Sequence, residues 1–196
     1  MQQTVSKIGP NAIIQTVHAL KEIVGLRQTE ELLACADRTD LLAHLPEEMI
    51  DEQEFQALVG TLFAQLGEPQ ALRILRRSGQ LTARYLLRHR IPQPAQRMLR
   101  LLPETIALRL LLAAINKHAW TFVGSGEFRY TLGRNPAITI TRCILCADLQ
   151  SETPICSFYT GCFEHLFRTL IDPRARVVET DCESCGGNCC RFAIWV

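Results

Sequence analysis

Apolar residues recur at three- and four-residue intervals through the first 119 positions, then switch towards alternation. Ile13, Ile14, Val17, Leu20, Ile23 and Val24 form a helical stripe behind Pro10, which suits a first turn. The pattern predicts a helix over residues 10–24 with Gly25 as its stop, then a shorter helix over 29–36 and a connection through Pro46. Asp51 with Glu54 three residues later has capping-box spacing. Phe55, Leu58, Val59, Leu62, Phe63 and Leu66 follow at helical intervals. Pro69 opens a helix of about 20 residues, carrying Leu72, Leu75, Leu86 and Leu87 and ended by Pro92 and Pro94. Gly79 inside it weakens helix propensity. Residues 104–119 are predicted as a further helix, with Leu108, Leu111, Leu112 and Ile115 inward.

After Trp120 the period changes. Residues 127–132 read as a strand, Gly133 to Pro136 as a turn, and the Ile/Thr alternation of 137–142 as a half-buried strand. A helix runs from Cys156 towards Ile171, and strands cover 174–179 and 190–196. The fold class is α+β: N-terminal helices packed with a C-terminal antiparallel sheet. A single domain is expected, with a helical portion at 1–119 and an α+β portion at 120–196 that carries the chemistry. At 196 residues the chain buries a sizeable core without staples.

Charge adds one feature that the net value of +1 hides. Residues 22–68 hold eleven acids against two bases, and residues 69–117 ten bases against one acid. Arg73, Arg76, Arg77, Arg84 and Arg88 mostly avoid the leucine stripe. They suit solvation and packing against the acidic half, or an anion site. No nucleic-acid recognition motif accompanies them, and no nucleic-acid partner is expected. No apolar run reaches the roughly 20 residues that cross a bilayer. The opening MQQTVSKIGPNAII lacks the form of a leader. A cytoplasmic location is expected, with peripheral contact to the photosynthetic membrane left open.

Of nine cysteines, eight fall between Cys143 and Cys190. An odd count in a chain read as cytosolic does not suit a disulfide framework, whereas local clustering suits metal ligation. Zinc favours thiolates at about 2.3 Å, and a carboxylate oxygen can replace one sulfur. One sensible set is Cys156, Glu179, Cys182 and Cys190. An all-sulfur alternative uses the paired CxxC spacings of Cys143, Cys146, Cys182 and Cys185. Adjacent Cys189 and Cys190 cannot both face one ion from a regular strand.

Cys156, Tyr159, Gly161, Glu179, Cys182, Gly186, Cys190 and Phe192 together resemble the 4-vinyl reductase domain. That small-molecule-binding domain is related in fold to small subunits of the TRAPP tethering complex. The length, the helical first half and the segment TARYLLRHRIP from Thr82 to Pro92 resemble its bacteriochlorophyll branch. In zinc-containing relatives the ligands are one cysteine, a Glu-x-x-Cys pair and a final cysteine. The resemblance therefore implies a structural zinc on Cys156, Glu179, Cys182 and Cys190, with the other cysteines additional.

The resemblance also implies a role in bacteriochlorophyll biosynthesis, acting on a divinyl protochlorophyllide- or chlorophyllide-like porphyrin whose 8-vinyl group becomes ethyl. That reduction needs two electrons and two protons. GSGE at 124–127 lacks nicotinamide-fingerprint spacing, and no flavin motif is present. Binding or delivering the tetrapyrrole is therefore expected over self-sufficient catalysis, and no catalytic residue is assigned. The ligand candidates are Arg84 and Arg88 for a propionate, His118 as an axial ligand or proton donor, and Trp120, Phe122 and Tyr159 for the ring. Expected partners are the porphyrin, a bacteriochlorophyll-pathway enzyme and a second copy of the chain. The alternatives are a non-catalytic carrier serving another pathway enzyme, or a dimeric interaction or ligand-sensing module.

Overall fold

The computed structural model describes residues 6–196. Residues 1–5, part of the opening read as lacking a leader, lie outside the described residues. A short strand, β1 (Lys7–Ile8), leads into α1 (Asn11–Ile23) and α2 (Gly25–Cys35). Gly25 takes φ +81°, open to glycine at little cost, and so turns the chain between the two helices. The stop is where the sequence puts it, but α2 starts earlier than residue 29. The Thr29 hydroxyl donates to the Gly25 carbonyl at 2.7 Å, so Thr29 lies inside the helix.

β2 (Ile50–Asp51) pairs antiparallel with β1 and delivers Asp51 to the start of α3 (Glu52–Leu66). The Gln53 N–H donates to Asp51 Oδ1 at 2.9 Å and the Asp51 N–H to Glu54 Oε1 at 3.3 Å, forming the expected capping box.

The longest helix, α4 (Glu68–His89), packs on α1. Thr16 and Ser78 share a buried hydroxyl–hydroxyl bond of 2.8 Å across that contact. Arg77 Nε donates to Glu22 at 2.6 Å, so part of the acidic–basic division is packing between these helices. Arg73, Arg84 and Arg88 stay exposed.

α5 (Gln93–Leu101) is an element the periodicity did not predict. Pro92 and Pro94 end α4 and also open the next helix, because a missing N–H costs nothing in a first turn. The Gln96 amide donates to the Leu87 and Ile91 carbonyls at 2.5 and 2.8 Å and ties the corner shut. α6 (Glu104–Lys117) and the single turn α7 (Trp120–Val123) complete the helical part.

β3 (Glu127–Thr131), β4 (Ala137–Thr141), α8 (Ser157–Leu170), β5 (Arg176–Asp181) and β6 (Cys190–Trp195) follow. The strands form an antiparallel sheet in the order β3-β4-β6-β5. β5 begins two residues later than expected, since Asp172 Oδ1 accepts the Arg174 N–H at 2.7 Å and holds a turn there. Ten of the fourteen residues of α8 are buried, which makes it the central helix, between α4 and the sheet. One hydrophobic cluster runs from Ile8 to Ile194. The architecture is α+β.

Candidate metal centre and ligand surface

Four segments converge at one end of α8. The loop after β4 contributes Cys143 and Cys146, joined by a tight turn in which the Cys146 N–H donates to the Cys143 carbonyl at 3.0 Å. Glu183 holds that loop in place: its carboxylate accepts the Arg142 and Cys143 N–H groups, each at 2.7 Å. Cys156 is the N-cap residue of α8. A register irregularity between Glu179 and Asp181 re-aims the end of β5, and Cys182 follows it. Cys190 opens β6 on the buried side, whereas neighbouring Cys189 is only half-buried.

Cys143, Cys146, Cys156, Cys182 and Cys190 are all buried. The Cys156 sulfur lies 3.5 Å from Cys143, 3.4 Å from Cys146, 4.0 Å from Cys182 and 3.5 Å from Cys190. Two overlapping ligand groups result, Cys143/Cys146/Cys156/Cys190 and Cys156/Glu179/Cys182/Cys190. Glu179 is fixed through Oε2, which accepts the Cys156 N–H at 2.8 Å, while its buried Oε1 has no hydrogen-bond partner. Burial and the adjacent Cys182 push the Glu179 carboxyl up to about 9. Burial likewise raises the Cys156 thiol well above its ordinary value. A bound cation reverses that cost, because thiolates and carboxylates crowded without one repel each other. Soft donors, an orphaned carboxylate oxygen and tetrahedral-scale spacing fit a zinc-like ion.

The all-sulfur set read from the CxxC pairs is not assembled. Cys185 is exposed, and its sulfur lies 3.9 Å from the Ser184 hydroxyl instead of within either ligand group. Cys162 faces the apolar core of α8, where burial pushes its thiol up to about 12.

The proposed ring-binding residues divide. Tyr159 is sealed in the core and its hydroxyl donates to the Phe122 carbonyl at 2.9 Å. Its ring lies among Phe122, Phe158, Phe163 and Phe192, with centroids 5.6–6.1 Å away. Phe122 is half-buried, His118 is exposed and Trp120 is 62% exposed at the start of α7. Arg84 and Arg88 sit on the exposed side of α4, and Arg84 lies close enough to Glu22 and His165 to lower the pKa of both.

Periodicity did not signal a second feature. Glu164 is buried in α8 and accepts Arg76 at 2.7 Å, Arg168 at 3.3 Å and the Val177 N–H at 3.2 Å. It lines an open groove of about 540 Å³ with Arg76, Arg168, Arg176 and Glu179. The only local sign was an acid on an otherwise apolar helix, four residues before Arg168. Glu183 likewise carried no sign beyond its place between two cysteines.

Residues 136–195 match the family model of the 4-vinyl reductase (V-4-R) domain. Over 192 residues the chain is 38% identical to the bacteriochlorophyll synthase 23 kDa chain of Cereibacter sphaeroides, covering 96% of this chain and 90% of that protein. The chain belongs to the family of bacteriochlorophyll synthase 23 kDa chains. A second member of the 23 kDa family, from Rhodobacter capsulatus, is 39% identical over 193 residues, covering 96% of this chain and 86% of that one. Within this 23 kDa family member the matched domain segment runs from the residue before β4 to the end of β6, so it contains all five clustered cysteines. The fold is also that of an H-NOX protein from K. algicida, at TM-score 0.60 and 11% identity over 95% of each chain. The phenol-responsive sensory domain of the transcription activator PoxR aligns at TM-score 0.55 and 16% identity, over 77% of this chain and 78% of that one.

Proposed function

We propose that this chain serves bacteriochlorophyll biosynthesis by binding a divinyl chlorophyllide-like tetrapyrrole and presenting it to a pathway enzyme. The observation that carries this is the near full-length identity to proteins named as bacteriochlorophyll synthase chains. An H-NOX protein studied for heme distortion shares the fold at TM-score 0.60, a likeness of fold alone that is compatible with a porphyrin ligand. In this reading Trp120 and half-buried Phe122 pack on the ring, His118 approaches its metal, and Arg84 or Arg88 meets a propionate. Tyr159 acts from beneath, through the Phe122 carbonyl. A structural zinc on Cys156, Cys182, Cys190 and a fourth ligand, Glu179 in the family pattern, clips α8 to β5 and β6. Zinc has no redox chemistry, so the two electrons of a vinyl reduction come from a separate reductase.

Peripheral membrane contact suits the outward side of α5 and α6. Met98, Leu101, Ile106 and Leu110 are exposed there among Arg97, Arg100, Arg109 and Lys117, a basic amphipathic surface that matches anionic lipid. No helix among the described residues is long and apolar enough to cross a membrane. Flotation with anionic vesicles tests the contact, and sedimentation tests a homodimer.

The central test is titration of the purified chain with divinyl protochlorophyllide, followed by product analysis with a supplied reductant. Stoichiometric binding without ethyl product supports delivery. Ethyl product from the chain alone replaces delivery with catalysis, and absence of binding overturns the proposal.

A further inference from the structure

The cysteine cluster holds one sulfur more than the ligand pattern of the family needs, and that sulfur lies at its centre. Cys146 Sγ is 3.4 Å from Cys156, 3.5 Å from Cys182 and 3.4 Å from Cys190. Among the other three, the separations are 4.0 Å for Cys156–Cys182, 3.5 Å for Cys156–Cys190 and 3.9 Å for Cys182–Cys190. Four thiolates at about 2.3 Å from one tetrahedral ion stand about 3.8 Å apart. All six measured edges bracket that value, and all four residues are buried.

We infer that Cys146 supplies the fourth ligand of an all-thiolate centre with Cys156, Cys182 and Cys190, and that Glu179 is a positioning residue. This deepens the reading of the cluster as a metal centre and rests on it. Glu179 already has work to do: its Oε2 takes the Cys156 N–H and sets the first turn of α8. The thiolates have hydrogen-bond partners of their own, since the Glu183 N–H donates to Cys190 Sγ at 3.5 Å and the Ser184 hydroxyl lies 3.1 Å from Cys182 Sγ. Donors to sulfur spread the charge of a tetrathiolate, as outer partners of metal ligands do. Cys143 stands next to Cys156 at 3.5 Å and remains a spare thiol. Sulfurs this close belong on a single ion, because an iron–sulfur cluster distributes its thiolates over separate irons.

The consequence is structural. With Cys146 as a ligand, the ion also holds the loop after β4, so one atom pins four segments where the mixed set pins three.

The test uses the full chain. Zinc X-ray absorption on the wild type distinguishes four sulfurs from three sulfurs and an oxygen without any variant. Cobalt(II) substitution then assigns the residue, because charge-transfer intensity rises with the number of bound thiolates. Cys146→Ser is expected to lose about a quarter of that intensity, one sulfur of four. It should weaken zinc binding by more than the roughly 10–100-fold typical of losing a residue that only orients a ligand. Glu179→Gln and Cys143→Ser are expected to keep the four-sulfur signature. A three-sulfur, one-oxygen spectrum in the wild type, or one that Glu179→Gln changes and Cys146→Ser does not, overturns the Cys146 assignment and leaves the metal centre standing. A wild type that takes up neither zinc nor cobalt overturns the metal centre itself.

Discussion

Gly79 on α4 lies against the Phe158 carbonyl on α8 so closely that a Cβ at Gly79 would stand 2.0 Å from that oxygen. The reverse contact is as tight, with a Cβ on Gly161 falling 2.3 Å from the Arg76 carbonyl oxygen. The two helices cross backbone to backbone at these glycines, one turn into the helix that begins with Cys156. Gly79→Ala is therefore expected to destabilise the chain by about 3 kcal/mol or more, since backbone and not a flexible side chain obstructs it. Gly60 on α3 is the control, because a Cβ there meets nothing within 4 Å. Gly60→Ala should stabilise by up to about 1 kcal/mol. Urea denaturation of the two variants checks both values; equal effects would remove the glycine crossing as an explanation.

Metal removal should loosen the end of the molecule where four segments meet. Chelation is expected to lower the melting temperature and to speed amide exchange in residues 143–156 and 182–190, while α1 and α3 keep their protection. Because thiols lose protons to bind the ion, the gap between metal-loaded and chelated melting temperatures should shrink as pH falls from about 8 to about 5. A gap that is constant with pH would contradict thiolate ligation.

Tyr159 and Trp120 should separate structure from ligand binding. Tyr159→Phe orphans the Phe122 carbonyl inside the core and is expected to cost about 1–3 kcal/mol in thermal or denaturant unfolding. Trp120→Ala, at an exposed position, should change stability by less than about 0.5 kcal/mol yet weaken divinyl protochlorophyllide binding. Unchanged porphyrin affinity in Trp120→Ala would remove α7 from the ligand surface.

Asp172 governs one acid-sensitive corner. Hydrogen bonds from the Arg174 side chain and N–H hold its carboxyl down to about 2. A carboxyl depressed in the folded state stabilises above its ordinary value of about 3.9 and loses that contribution as pH falls towards the folded value. Asp172→Asn should therefore flatten the acid limb of the stability curve below about pH 4 and leave its slope near neutrality unchanged. A wild-type limb that persists in this variant would assign the acid sensitivity elsewhere.

The residue pattern by itself determined the elements. Apolar spacing marked α1, α3, α4 and α6, Asp51 marked a cap, alternation marked β3 and β4, and the cysteine clustering marked where the chemistry lies. Those signals are local, repeating every 3.6 or every two residues along one segment. Prolines hid α5, because the same residue ends one helix and begins another. Only the tertiary structure decided that Cys146 joins the sulfur cluster and Cys185 does not, that Tyr159 is sealed while Trp120 is exposed, and that Gly79 is a crossing point and not merely a weak helix former. Each of those outcomes depends on segments far apart in the chain meeting at one place, and the path of the loops that bring them there is not written in any local period.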